Sequence, residues 1–133
     1  MAGNRYPRDD APGTIYLVHF SAKTSEGRQH YLGWSSDIER RFAQHRAGHG
    51  ARETRKAVAE DLRLTLAQTW LGTPRLESRM KAWSRRGRKG FSGICPLCPR
   101  EASLTPDLIR DLGAPTLQVR YEGGSRPKPA TRG

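Results

Sequence analysis

Tyr31-Leu32-Gly33-Trp34-Ser35-Ser36-Asp37-Ile38-Glu39-Arg40-Arg41-Phe42-Ala43-Gln44-His45 is the stretch on which the fold turns. Its first residues, with His30 ahead of them, read as a short strand, His30-Tyr31-Leu32-Gly33. Ser36-Asp37-Ile38-Glu39 is a capping-box pattern, in which the Ser36 hydroxyl and the Glu39 carboxylate each satisfy an orphan amide of a helix start. It predicts a helix from there to about Ala47, stopped by Gly48. At about 100° per residue, Ile38, Arg41, Phe42 and His45 share roughly a third of the circumference, while Glu39, Arg40 and Gln44 point elsewhere. An arginine and a histidine, spaced i and i+4, therefore flank the apolar stripe that must face the sheet. An unpaired buried charge is costly, so Arg41 needs an anion beside it. Either a carboxylate of the chain supplies it, with His45 merely hydrogen-bonded, or a phosphate does, held by two guanidinium nitrogens.

Working outward, Thr14 to Phe20 (TIYLVHF) is β-branched and aromatic, with apolar residues on both alternating faces, which suits a strand covered on both sides. A polar loop, Ser21 to Gln29, joins it to the His30 strand as a hairpin. Gly48 to Lys56 reads as a Gly-rich basic loop. Leu62, Leu64 and Leu66 alternate with Arg63, Thr65 and Ala67, a strand period. Thr73 before Pro74 is a good helix start, and Leu76, Met80 and Trp83 recur at helical spacing up to Arg86. Pro106 to Leu112 reads as a short helix and Thr116 to Tyr121 as a last strand. The expected class is α+β (mixed α/β), a small three-stranded central sheet flanked by helices in the order β-β-α-β-α. The chain divides into a flexible N-terminal segment (1–12), one domain (13–90), a C-terminal extension carrying Cys95 and Cys98 (91–122), and a flexible basic tail (123–133).

A length of 133 residues leaves room for one domain of this kind. Lysine and arginine number 24 against 13 acidic residues, a net charge of +11. Hydrophobic residues make up 35% and the mean hydropathy is −0.79, so the core must be small. A field of that sign attracts polyanions. No apolar run approaches the ~20 residues of a spanning helix, no secretory signal opens the chain, and two cysteines cannot make a disulfide framework. The expectation is a cytoplasmic protein, away from membranes, that meets nucleic acid.

The charge is concentrated. Residues 40–56 carry six basic side chains against Glu53, and residues 75–89 carry seven against Glu77. Glu77 sits at the rim of the Leu76–Met80–Trp83 stripe. It is either an i,i+4 surface partner of Lys81, worth a few tenths of a kcal/mol, or a ligand for a divalent ion whose other ligands come from substrate phosphates. Tyr16 and Tyr31, paired across the hairpin, are packing residues on the ordinary reading of strand aromatics. Cys95-Pro96-Leu97-Cys98 has the spacing of half a zinc knuckle. A tetrahedral site wants four ligands, though, and no second cysteine pair exists; His19, His30, His45 and His49 all lie far upstream. Free thiols or a loose redox pair are the favoured reading there, and Zn²⁺ at Cys95 and Cys98 the disfavoured one.

Together these residues resemble the GIY-YIG nuclease family, in its small single-domain bacterial form. Gly13-Thr14-Ile15-Tyr16 looks like the first motif with one extra residue between Gly and Ile, and Tyr31-Leu32-Gly33 like the second with Leu for Ile. Arg41 falls eight residues after the motif glycine, where the family has its arginine, and His45 four later, where it has His or Tyr. Gly48 to Arg55 is similar to the family's Gly-rich, Thr-Arg-containing loop, and Leu76 to Lys81 looks like the helix bearing its metal-binding glutamate. The resemblance covers roughly residues 13 to 90; the loop between the tyrosine motifs is longer than usual, and the pattern ends after Gly90. It implies a metal-dependent endonuclease that hydrolyses phosphodiester bonds in DNA, with Tyr16, Tyr31, Arg41, His45 and Glu77 as catalytic residues. One tyrosine would take a proton from the attacking water, Arg41 would stabilise the phosphate, His45 would orient the water or share the base role, and Glu77 would hold one Mg²⁺ or Mn²⁺ ion. Which tyrosine is the base stays open. Nucleic-acid contacts fall to Arg40, Arg46, Arg52, Arg55, Lys56, Arg79 and Lys81. Two other readings are a basic module on the same fold that binds nucleic acid without cutting, and a subunit whose protein partner supplies specificity.

Overall fold

β-branched and aromatic residues with apolar side chains at both parities form β1 (Gly13–Phe20), the strand on which both halves of the molecule are built. The structure is a computed structural model that describes residues 10–86, 91, 94–98 and 120–121. β1 pairs antiparallel with β2 (His30–Ser35) on one side and with β3 (Leu64–Gly72) on the other. A two-residue β4 (Arg120–Tyr121) adds to β3, giving the sheet order β2-β1-β3-β4.

Successive strand residues point to opposite faces, so β1 divides the core in two. Ile15 and Leu17 pack with Leu32, Ala67, Trp70, Met80, Ile94 and Cys95 on one face. Tyr16, Val18 and Phe20 pack with Phe42, Ala57, Leu64 and Leu66 on the other. Helix α3 (Pro74–Arg86) covers the first face through Met80, Leu76 and Trp83. Helices α1 (Ile38–Arg46) and α2 (Arg52–Ala59) cover the second. β3 is buried at every position from Leu64 to Trp70, as a central strand covered on both sides should be.

The α+β class with its antiparallel sheet and flanking helices is as expected, and three local readings change. The cap of α1 is Asp37 rather than Ser36: the Asp37 carboxylate accepts from the Arg40 amide at 3.2 Å. The helix starts one residue later, with Asp37 outside it at φ −143° and ψ 87° and its amide donating to Ser35 Oγ at 2.9 Å. Second, the basic loop from Gly48 to Lys56 turns into α2 at Arg52, so the order is β-β-α-α-β-α-β. Ala51 caps that helix with no side-chain hydrogen bond, and its stability comes from burying Thr54 and Ala57, a tertiary contribution that local sequence does not announce. Third, β3 begins at Leu64 and runs on to Gly72. Leu62 shares the α1/α2 core with Leu64 and Leu66 but precedes the pairing.

The hairpin loop is anchored to α2. Ser25 donates to the Glu60 carboxylate through its amide and hydroxyl at 2.8 and 2.6 Å, and Arg52 grips Glu26 with two nitrogens at 3.2 and 3.0 Å. The chain beyond residue 90 also packs on the sheet: Ile94 and Cys95 are buried, and the Gln68 amide donates to the Ile94 carbonyl at 2.7 Å. The expected Pro106–Leu112 helix, most of the Thr116–Tyr121 strand, the basic residues Arg88 and Lys89, and residues 1–9 and 122–133 lie outside the described residues.

Met80 is fully buried and anchors α3 to the Ile15–Leu17 face. Met80→Ala should cost about 2–5 kcal/mol of unfolding free energy in a urea titration. A loss below about 1 kcal/mol would mean that α3 is held elsewhere.

Candidate active site

Tyr16 stands directly across from Gly33 in the β1–β2 register. The missing side chain is what gives the phenol its place. A Cβ on Gly33 would lie 2.5 Å from Tyr16 Oη and 2.8 Å from Tyr31 Cε2. Tyr31, two residues before Gly33, projects to the same face, and the two rings sit 6.1 Å apart between centroids. Tyr16 is wholly buried and Tyr31 half-buried.

Helix α1 brings His45 onto the same spot. Its imidazole is also wholly buried, and Nε2 lies 2.6 Å from Tyr16 Oη. Nδ1 lies 2.8 Å from Thr54 Oγ1 on α2. The Thr54 hydroxyl donates its proton to the Ala51 carbonyl at 2.9 Å, so towards His45 it accepts. This assigns the tautomer: Nδ1 carries the proton, Nε2 is bare, and the Tyr16 hydroxyl donates to it. Gly50 closes the far side of the ring, for a Cβ there would fall inside the imidazole.

Electrostatics agree with that network. Burial, and then the Arg41 guanidinium, push His45 down to about 4, so it is neutral at pH 7. Burial raises the Tyr16 phenol well above its usual value, Tyr31 adds to this, and Arg41 beside it offsets part. Tyr31 is raised as well, by burial first, with Lys81 working against it and Glu77 with it. A weaker push on both phenols comes from the Glu77 carboxylate on α3. Its side chain is 14% exposed, and Lys81 Nζ sits 2.7 Å from Oε2. The same Nζ lies 5.7 Å from the Tyr31 ring centroid.

Tyr16, Tyr31 and His45 thus converge, Arg41 hydrogen-bonds Tyr16, and Glu77 joins them through Lys81. Among the described residues Arg41 has no carboxylate partner; its guanidinium donates to Gln44 Oε1 at 3.0 Å. Of the seven basic residues assigned to nucleic acid, Arg52 pairs with Glu26, Lys56 with Glu60 and Lys81 with Glu77. Arg46 lies over the Phe42 ring at 6.0 Å, while Arg40, Arg55 and Arg79 are exposed. Three residues of the Gly48–Arg55 stretch had no role of their own in the sequence reading. Thr54 sets the imidazole tautomer, Gly50 packs on it, and Glu53 lines a cleft with Tyr31 and Lys81. A threonine at the start of an unrecognised helix gives no periodic signal.

Cys95 belongs to the core on the opposite face of the sheet. The histidines that lie far upstream of Cys95 and Cys98 in sequence are brought to them by the fold: β1–β2 pairing sets His19 opposite His30, and both imidazoles meet the two thiols.

A family model, the GIY-YIG catalytic domain, matches residues 12–90, and the chain belongs to that family. Neither a curated protein nor a solved structure matches it. Membership gives a nuclease-type fold, nucleic acid as the class of substrate and a divalent metal as the usual requirement. Among the described residues no helix is long and apolar enough to cross a membrane.

Nitrogen-15 NMR of the imidazole should show His45 neutral, protonated at Nδ1 and titrating near 4 rather than at its usual 6.5. Between those values the unfolded chain binds the extra proton, so folding stability should fall as pH drops from 6.5 towards 4. A His45 that titrates at 6.5, or carries its proton on Nε2, would contradict the assigned network.

Proposed function

We propose, with the family's nuclease fold as premise, that this protein is a metal-dependent endonuclease that hydrolyses phosphodiester bonds in DNA. In this reading Tyr16 takes the proton of the attacking water while its own proton passes to His45. The observation that carries it is the 2.6 Å contact between Tyr16 Oη and a bare, neutral His45 Nε2.

A phenol is a poor base at pH 7, and burial makes its anion harder still to form. It can accept a proton only if it releases one at the same time. His45 is the group placed to receive it, and its Nδ1 proton stays fixed on Thr54 throughout. Tyr31 touches His45 by ring packing, with centroids 5.2 Å apart, and its role is to position water or phosphate. Arg41, free of any carboxylate among the described residues, holds the scissile phosphate with its planar guanidinium. Phosphate binding also cancels the repulsion that Arg41 exerts on His45, which raises the imidazole's affinity for the proton as substrate docks.

The donor set at Glu77 suits a hard divalent cation. One partly exposed carboxylate is available, and Mg²⁺ characteristically binds through one or two carboxylates together with substrate phosphate and water. Glu77 would hold Mg²⁺ or Mn²⁺, whose chemistry there is Lewis-acid stabilisation of the leaving oxygen. Lys81, its present partner, is a flexible half-exposed side chain able to turn to phosphate instead. Arg40, Arg46, Arg52, Arg55, Lys56 and Arg79 would track the DNA backbone, giving binding that weakens steeply with salt.

The test is supercoiled plasmid incubated with the full chain and Mg²⁺ or Mn²⁺. Tyr16→Phe should lower the nicking rate by about 10²–10⁴-fold, and Glu77→Ala should remove the metal-dependent cleavage while salt-sensitive binding remains. The acid limb of kcat/KM should lie towards the His45 value of about 4, since the neutral imidazole is the competent form. Equal nicking by wild type and Glu77→Ala would overturn the proposal, and retained binding with no cutting by the wild type would assign the chain to a non-cleaving module.

A further inference from the structure

On the face of the sheet opposite Tyr16, four metal-ligating side chains meet with no part in the chemistry above. His19 and His30 are directly opposed across the β1–β2 hairpin, with Nδ1 of the first 3.3 Å from Nε2 of the second. Cys95 Sγ lies 3.4 Å from His19 Nδ1. Cys98 Sγ lies 3.7 Å from His19 Nδ1 and 3.4 Å from His30 Nε2. All four donor atoms fall within 4.8 Å of one another. We propose that His19, His30, Cys95 and Cys98 form a Cys2His2 site for one structural Zn²⁺ ion, which clasps the segment after the nuclease fold to its first hairpin.

The distances carry the argument. With Zn–N near 2.0–2.1 Å and Zn–S near 2.3 Å, the edges of a regular tetrahedron are about 3.3 Å between nitrogens and about 3.6 Å between nitrogen and sulfur. The four contacts match those edges to within a few tenths of an ångström. Hydrogen bonding gives such a cluster little reason to exist, since thiols are weak donors and acceptors. The Cys-x-x-Cys turn is already folded for chelation, with the Cys98 amide 3.3 Å from the Cys95 carbonyl. Two thiolates and two imidazoles in a tetrahedron select zinc among common divalent ions, and the group is too tight for the two irons of a cluster. Four protein ligands leave no open position, so the role is structural. Both histidines lie about 65 or more residues from the cysteines in sequence, so the ion closes a long loop, and its binding energy adds to folding.

The site is independent of the Glu77 metal, and so is its test. The full chain, purified without added metal or chelator, should carry one zinc per chain by elemental analysis. Its Co²⁺-substituted form should show the intense visible bands of a tetrahedral ion with thiolate charge transfer. Cys98→Ser and His30→Gln should each lose the zinc, while Glu77→Ala keeps it. Chelation of the wild type should lower its melting temperature by more than about 5 °C and open the 94–98 segment to protease. Should the variants fail to fold, X-ray absorption on the wild-type zinc decides, with two sulfur and two nitrogen neighbours expected. A metal-free chain, a Cys95–Cys98 disulfide in its place, or zinc surrounded by oxygen would each overturn the assignment.

Discussion

A buried phenol needs a hydrogen-bond acceptor, and the contact between Tyr16 and His45 imposes that requirement on everything around it. The tyrosine is the buried midpoint of β1, and the histidine sits in the last turn of α1, twenty-nine residues on. Their approach needs an empty place across the strand, which Gly33 leaves, and a flat backbone against the imidazole, which Gly50 offers. It also needs a hydroxyl to hold the far nitrogen, supplied by Thr54 at the buried side of α2. Sheet, α1 and α2 are therefore held to one another by a polar chain through the middle of an apolar layer. Buried polar chains of this kind are costly when broken and specifying when complete.

The two faces of β1 divide the labour. One carries the phenols and imidazole, with the Arg41 guanidinium of α1 beside them. The other carries the larger apolar cluster and the His19–His30–Cys95–Cys98 group. Because His30 and Tyr31 are neighbours in β2, whatever fixes the start of that strand also fixes the phenol that follows it. Surface ion pairs such as Arg52 with Glu26 add little to stability, yet they hold the hairpin loop against α2.

Much of this was legible in residue order. Thr14–Phe20 announced a strand buried on both sides, and the Ile38–Arg41–Phe42–His45 stripe placed an arginine and a histidine at the edge of the core before any partner was known. Leu76, Met80 and Trp83 gave the face of α3, and the resemblance to the nuclease family joined Glu77 to the rest. What stayed hidden has a common physical cause. α2 is stabilised by burying Thr54 and Ala57, with no cap and no long apolar period, so its sequence reads as a loop. Thr54 matters through a hydrogen bond nine residues back, and His19 and His30 become neighbours of the cysteines only when the hairpin closes. Distance along the chain therefore concealed the two histidine ligands. Ser36 lost the capping role to Asp37, because two adjacent residues of similar capping preference cannot be ranked without the backbone.

The central claim is that His45 serves Tyr16 only in the tautomer that Thr54 enforces. The measurement that reaches it most directly compares plasmid cleavage by wild type, Thr54→Val and Thr54→Ser at saturating metal and DNA. Valine keeps the shape but offers Nδ1 no acceptor; it should lower kcat by about a hundredfold with KM little changed, and serine, which restores the hydroxyl, should recover most of the rate. A Thr54→Val enzyme that cuts as fast as wild type would contradict the account.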